Sequence, residues 1–188
     1  MAFNYVKLDE GNMPKNLGVK GKNHDGMRFY TIDGVNMPSV TSILGQIPER
    51  AAKIQGWRDA VGEKMADYIS RSAINRGKTL HTLIENHLRN QDDKSIGITK
   101  VTPLGLFRLV KPYLARIDNI HCVEDFLYSK EIGVAGQVDC VAEYKGKLSV
   151  IDFKSSTKQR DRDYNYGNFL QTAAYAKMFE EIYPDKKI

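Results

Sequence analysis

Hydrophobic and polar positions along this chain change period several times, and each change marks an element. Residues 1–27 are polar and rich in Gly and Asn, which reads as a loosely ordered N-terminal arm ahead of one folded domain over residues 28–188. The run RFYTIDGVNMPSV then predicts a small hairpin turning at Asp33-Gly34, with Ser39 or Thr41 capping a helix that starts near Val40. Helical spacing follows from about residue 49 to residue 90, with a break expected near residues 71–76. NQDDKSIGITKV reads as a loop, and residues 104–117 return to helical spacing with Pro112 positioned to kink the helix. Strands are expected at residues 122–128, 135–144 and 148–153, and a last helix over residues 169–183.

The second and third of these strands carry the most chemistry. They are joined by Lys145-Gly146, a two-residue loop ending in glycine, which is a hairpin signal weaker than Asn-Gly. With that turn, Tyr144 pairs with Lys147, and counting outward brings Asp139 opposite Asp152 on one face, with Lys154 following on that face. Two carboxylates this close repel, raising one pKa unless a cation lies between them. A hard divalent ion resolves the conflict: Mg²⁺ or Mn²⁺ binds through one or two carboxylates, waters and phosphate oxygens. A lysine beside such an ion can position a water or offset charge on a phosphoryl group. The bland alternative is a solvated hairpin with incidental charges, and a one-residue slip would send the aspartates to opposite faces.

The pattern of Asp139, a short connection, then Asp152-Phe153-Lys154 resembles the core of the PD-(D/E)XK nucleases. RGKTLHTLIENHL, with Gly77, His81 and Glu85, is similar to the Gly-x-x-x-His-x-x-x-Glu helix of their RecB-like branch, and NFLQTAAYAKMF, with Gln171 and Tyr175, to that branch's Gln-x-x-x-Tyr helix. MPSVTSIL resembles a stretch of the exonucleases of mitochondrial genome maintenance and their phage relatives within the branch. The resemblance implies an α/β fold, a restriction-endonuclease-like mixed β-sheet flanked by helices. It also implies catalysis by Asp139, Asp152 and Lys154 with Mg²⁺ or Mn²⁺ held by His81, Asp139, Asp152 and the carbonyl of Phe153.

His81 and Glu85 are four apart and share a helix face, beside an apolar stripe of Leu80, Leu83, Ile84 and Leu88. Read alone, such a histidine is an ordinary hydrogen-bonded side chain; the resemblance makes it a metal ligand. Glu85 reads best as fixing the tautomer of that histidine, with a metal contact through water and an ordinary exposed helix contact as the alternatives. The resemblance likewise gives Gln171 the task of orienting the lysine or meeting a phosphate, whereas packing is the plainer role for Tyr175. Between strand and last helix, SSTKQRDRDYNYGN offers Lys158, Arg160 and Arg162 to phosphates and Tyr164, Tyr166 and Phe169 to unpaired bases. An equally weighted alternative is a solvated loop in which Asp161 and Asp163 neutralise part of that charge.

Bulk properties narrow the class. A chain of 188 residues with 41% hydrophobic content suits one domain with a sizeable core, and net charge +5 with pI near 9.1 mildly favours a polyanionic partner. No apolar run reaches the roughly 18 residues of a spanning helix. The N-terminus lacks a secretory or transit signal, so residence in the cytoplasm of a bacterial or phage-infected cell is expected. Two cysteines, Cys122 and Cys140, cannot supply the four ligands of the iron–sulfur cluster found in some RecB-like relatives, so none is expected. The function expected is metal-dependent hydrolysis of DNA, by an exonuclease on single strands or free ends. The alternatives are a noncatalytic nucleic-acid-binding module on the same fold and a structure-specific or restriction-type endonuclease. In the similar exonucleases at least one more strand and a helix follow the Gln-x-x-x-Tyr helix. Here PDKKI follows Tyr183, which implies a sheet of reduced stability or one completed by a protein partner or self-association.

Overall fold

The computed structural model describes residues 2–9, 17–24, 26–91, 101–157, 162 and 164–188. Two tight hairpins organise the strands. β2 (Met27–Ile32) and β3 (Val35–Pro38) turn at Asp33-Gly34, and β5 (Val134–Tyr144) and β6 (Lys147–Ile151) turn at Lys145-Gly146. In each turn both central residues have positive φ: 48° and 82° in the first, 54° and 77° in the second. That is the condition of a type I′ turn, whose twist matches the strands it joins. β1 (Leu17–His24) adds to the first hairpin and β4 (Ile117–Ser129) to the second, giving two three-stranded antiparallel sheets in the orders β1-β2-β3 and β4-β5-β6. Short connections can join only antiparallel neighbours. Parallel pairing, among the described residues, enters through isolated bridges from Tyr5 to Ile120 and from Ser39 to Ala135.

The protein is therefore α/β, with helices on both faces of the β4-β5-β6 sheet. Neighbouring residues Val141 and Ala142 join different cores, as the pleat of a strand requires. One core sets Met178, Phe179 and Ile182 of α5 (Tyr166–Ile182) and Tyr30, Ile32 and Met37 of the first sheet against Leu127, Val138 and Val141. The other sets the Leu80, Leu83, Ile84 and Leu88 stripe of α3 (Glu63–Leu88), with Phe107 and Leu114 of α4 (Val101–Leu114), against Ile120, Val123, Cys140 and Ala142. Each such aliphatic side chain contributes about 1.5–3 kcal/mol by burial, so α3 and α5 are fixed with respect to the sheet between them. No helix among the described residues is long and apolar enough to cross a membrane.

Ser39 caps α1 (Val40–Gly45) by accepting from the Ser42 N–H, as its position before the apolar run predicts. The break expected at residues 71–76 lies instead at Gly62, between α2 (Pro48–Val61) and α3. Gly62 has φ 83° and ψ 143°, a conformation open to glycine, whereas residues 71–76 contain no Gly or Pro to stop a helix. The arm read as loosely ordered is paired in its described parts. Val6 N donates to Ile120 O and Ile120 N to Asn4 O, each at 2.8 Å, and Tyr5 Oη donates to Leu88 O. This pairing uses the outer edge of β4 through backbone groups, which the polar character of the side chains does not reveal. β6 forms the opposite edge of its sheet.

Candidate active site

The site forms where β6 leaves β5. Their ladder runs from Tyr144 with Lys147 to Cys140 with Ile151 and stops one step short of Asp139 and Asp152. Beyond that step the backbone of the departing chain serves the site. Phe153 N donates to Asp139 Oδ2 at 2.7 Å, and the Phe153 carbonyl lies 2.8 Å from His81 Nε2 on α3. The nearly buried Asp152 carboxylate accepts from Lys154 Nζ at 2.5 Å and from Gln171 Nε2, on α5, at 3.2 Å. The two cores thus deliver one side chain each to adjacent residues, His81 on α3 to the Phe153 carbonyl and Gln171 on α5 to the Asp152 carboxylate.

One carboxylate at the site was not singled out from sequence. Glu124 Oε1 is 3.4 Å from His81 Nδ1, with Asp139 Oδ1 at 3.6 Å from the same nitrogen, and His81, Glu124 and Asp139 form a group able to hold a metal ion. Glu124 stands across from Asp139 on β4, between the pairs Val123 with Cys140 and Asp125 with Val138. Its φ is 54°, the ladder skips that position, and Gln137 Nε2 donates to its carbonyl at 2.9 Å. A non-glycine residue in the left-handed region costs about 1–2 kcal/mol and turns its side chain out of the strand's regular alternation. Glu85, by contrast, pairs with Arg89 at 3.0 Å, and Arg89 in turn donates to Val123 O at 2.6 Å. Pairing β4 with β5 would have revealed Glu124, but the four-residue connection between them fixes no register from sequence.

Burial, reinforced by Asp152, pushes the Asp139 carboxyl up to about 6, against the opposing pull of His81, the Phe153 N–H and Lys154. The His81 imidazole is raised, chiefly by its contact with Glu124, with Asp139 adding to the effect and burial opposing it. A buried acid held partly protonated beside an imidazole and a backbone carbonyl is a donor set that a hard divalent cation fits, since the cation would take the place of the competing protons.

Tyr175 stands against Gly136, where a Cβ would come within 3.0 Å of its ring and hydroxyl. Burial raises the Tyr175 hydroxyl, which also hydrogen-bonds Gln171. Gly136 thereby lets the Gln171–Tyr175 face of α5 approach the strand that carries Asp139. A cleft of about 200 Å³ is lined by Glu124, Asp139, Gln171 and Tyr175 together with Arg28 and Thr41. A wider hollow of about 510 Å³ adjoins it, sharing Arg28 and Thr41 and reaching Gln46. Of the expected nucleic-acid contacts, Arg162, Tyr164 and Tyr166 are exposed, and Lys158 and Arg160 lie outside the described residues.

The chain is 33% identical over 148 residues to mitochondrial genome maintenance exonuclease 1 of Mus musculus, covering 74% of this chain and 43% of that protein. It is 32% identical over 176 residues to the Xenopus tropicalis protein of that name, covering 87% of this chain and 47% of the relative. The Homo sapiens protein is 27% identical over 146 residues. The chain spans less than half the length of these curated relatives. Residues 51–187, which hold His81, Asp139, Asp152, Lys154 and Gln171, match the PD-(D/E)XK nuclease superfamily, and the chain belongs to it.

Proposed function

We propose that this chain is the nuclease core of a Mg²⁺- or Mn²⁺-dependent deoxyribonuclease that acts as an exonuclease on single-stranded DNA or free DNA ends. The observation that carries the reading is the gathering of Asp139, Asp152, Lys154, His81 and the Phe153 carbonyl where β6 peels away from β5. His81, Asp139, Asp152 and the Phe153 carbonyl would hold the metal, which supplies Lewis-acid polarisation of a phosphate oxygen and an acidified water. Lys154, held against Asp152, places a fixed positive charge beside the scissile phosphate and orients the attacking water. Gln171 fixes the Asp152 carboxylate from the opposite side. Arg28 and Thr41 line the same cleft as Glu124 and Asp139, which favours a phosphodiester backbone lying in it. Exposed Tyr164, Tyr166 and Phe169 offer stacking surfaces to unpaired bases, and Arg162 a phosphate contact. The edge strand β6 is where a protein partner or second copy would add a strand; concentration-dependent light scattering tests that part of the reading.

The test uses end-labelled linear and circular single-stranded DNA, duplex DNA and RNA with Mg²⁺, Mn²⁺ or EDTA. Small products released from linear single strands alone, and abolished by EDTA, are the expected result. Cleavage of the circle would replace the exonuclease reading with an endonuclease, and inertness toward every substrate would leave a noncatalytic binding module.

A further inference from the structure

His81 needs a partner as well as a metal. If Nε2, beside the Phe153 carbonyl, is the nitrogen given to the cation, the imidazole's single proton resides on Nδ1, and something must accept it. Two carboxylates face Nδ1. Asp139 lies farther away, commits Oδ2 to the Phe153 N–H, and is itself assigned to the metal. Glu124 is nearer, and its backbone is held in the left-handed conformation with its carbonyl clamped by Gln137. We propose that Glu124 is the positioning residue of the metal centre: its carboxylate accepts the Nδ1 proton of His81 and so fixes the tautomer and ring orientation that present Nε2 to the cation.

This inference rests on the metal site proposed above and gives Glu124 the task that helix spacing suggested for Glu85. The left-handed backbone belongs to the same device. A glutamate in regular β conformation would follow the alternation of β4, whereas here an interrupted ladder coincides with a carboxylate turned toward His81.

The experiment measures Mn²⁺ affinity by calorimetry, thermal stability of the metal-free protein, and the ¹⁵N shifts of His81 with a diamagnetic divalent ion bound. Glu124→Ala is expected to weaken metal binding about 10–100-fold, the range for loss of an orienting carboxylate. Glu124→Gln, whose amide oxygen still accepts from Nδ1, is expected to recover much of that loss. Glu124→Asn, which suits positive φ and is too short to reach His81, is expected to raise the melting temperature while weakening metal binding as much as alanine does. The ¹⁵N shifts should report Nδ1 protonated in the wild type, with that signature lost in Glu124→Ala.

Wild-type affinity in both Glu124→Ala and Glu124→Asn, alongside lost binding in Asp139→Asn, overturns the role of Glu124 and leaves the metal site standing. A glutamine variant as poor as alanine makes Glu124 a direct ligand and also overturns it. Unchanged affinity in Asp139→Asn removes the metal site and the inference together. Glu85→Ala serves as the contrast, with metal affinity expected to stay within about twofold of wild type, because Glu85 pairs with Arg89.

Discussion

Two hairpins in this protein share a turn and differ in how they end. The β2–β3 and β5–β6 hairpins both reverse through a residue-glycine pair with positive φ at each position. The first keeps its ladder to the last residue of β3, pairing Phe29 with Pro38, after which Ser39 bridges to Ala135 and caps α1. The second stops pairing at Cys140 and Ile151, and the next three residues leave the sheet. In the first hairpin the end of the ladder is spent on joining elements. In the second, the Phe153 N–H and C=O, freed from a ladder, are directed at Asp139 and His81. The lesson is that a regular ladder sets the register, and that its termination makes backbone groups available to the site.

The largest effect expected from breaking this arrangement is on cleavage. Asp152→Asn or Lys154→Ala should lower the turnover rate by about a thousandfold or more, in keeping with loss of charge stabilisation or of a metal ligand, while circular dichroism stays unchanged. His81→Ala should retain DNA binding by fluorescence anisotropy and lose most metal-dependent activity. Turnover near that of the wild type in a folded Asp152 or Lys154 variant would reduce the second hairpin to scaffold, like the first.

How much of this was legible before the structure follows from the same contrast. The turn at Lys145-Gly146 fixes pairing through a two-residue loop, so the approach of Asp139 to the segment 152–154 could be counted from the sequence. The α/β fold and superfamily membership followed from motifs whose spacing matches the secondary structure that carries them. Glu124 was not legible, because neither a left-handed residue within a strand nor a register across the 130–133 connection leaves a mark in side-chain periodicity. The pairing of residues 4–6 with Ile120 was hidden for a related reason: it is made by backbone groups beneath polar side chains. The helix break went to Gly62 because backbone conformation outweighed the apparent change in pattern near residue 71.

Protons sharpen the comparison next. Burial raises Asp139 from 3.8 to about 6, so the native state prefers the protonated acid. That contribution is fully present below pH 3.8 and is lost as pH rises through about 6; the rise of about 2 pH units corresponds to about 3 kcal/mol. His81, also raised, acts in the same direction at higher pH, since stability gained from its imidazolium is lost as that proton leaves. In EDTA the melting temperature should therefore fall between pH 5 and pH 8 relative to an Asp139→Asn, His81→Ala double variant. Mn²⁺ affinity should weaken as pH drops below about 6, because protons compete for the ligands. A parallel pH profile in the double variant would place the origin of the effect elsewhere.

A smaller effect is expected where α5 meets the second hairpin. Gly136→Ala would place a methyl group 3.0 Å from the Tyr175 ring and hydroxyl, which lie in the core and cannot swing clear. Overpacking of this kind costs about 1–3 kcal/mol, measurable as a lower urea midpoint. Because Tyr175 and Gln171 share a helix face, turnover should fall as well. Unchanged stability would mean that α5 shifts freely over β5.

The smallest effects compare the turns themselves. At Gly34 and Gly146 an added Cβ meets nothing within 4 Å, so Gly34→Ala and Gly146→Ala isolate the strain of positive φ, about 1 kcal/mol in each case. The two variants should therefore lose nearly equal stability by thermal or urea denaturation. Their activities should differ. The turn at Gly146 fixes the register that carries Asp139 toward Asp152, so relaxation there moves the carboxylates relative to each other, whereas relaxation at Gly34 is absorbed before Ser39 reaches Ala135. Turnover measured under conditions where both variants are fully folded should fall in Gly146→Ala alone. An equal fall in both would show that the first hairpin also positions the cleft, through Arg28 of β2, which lines it, and the contrast between scaffold and site would then lie only in where each ladder stops.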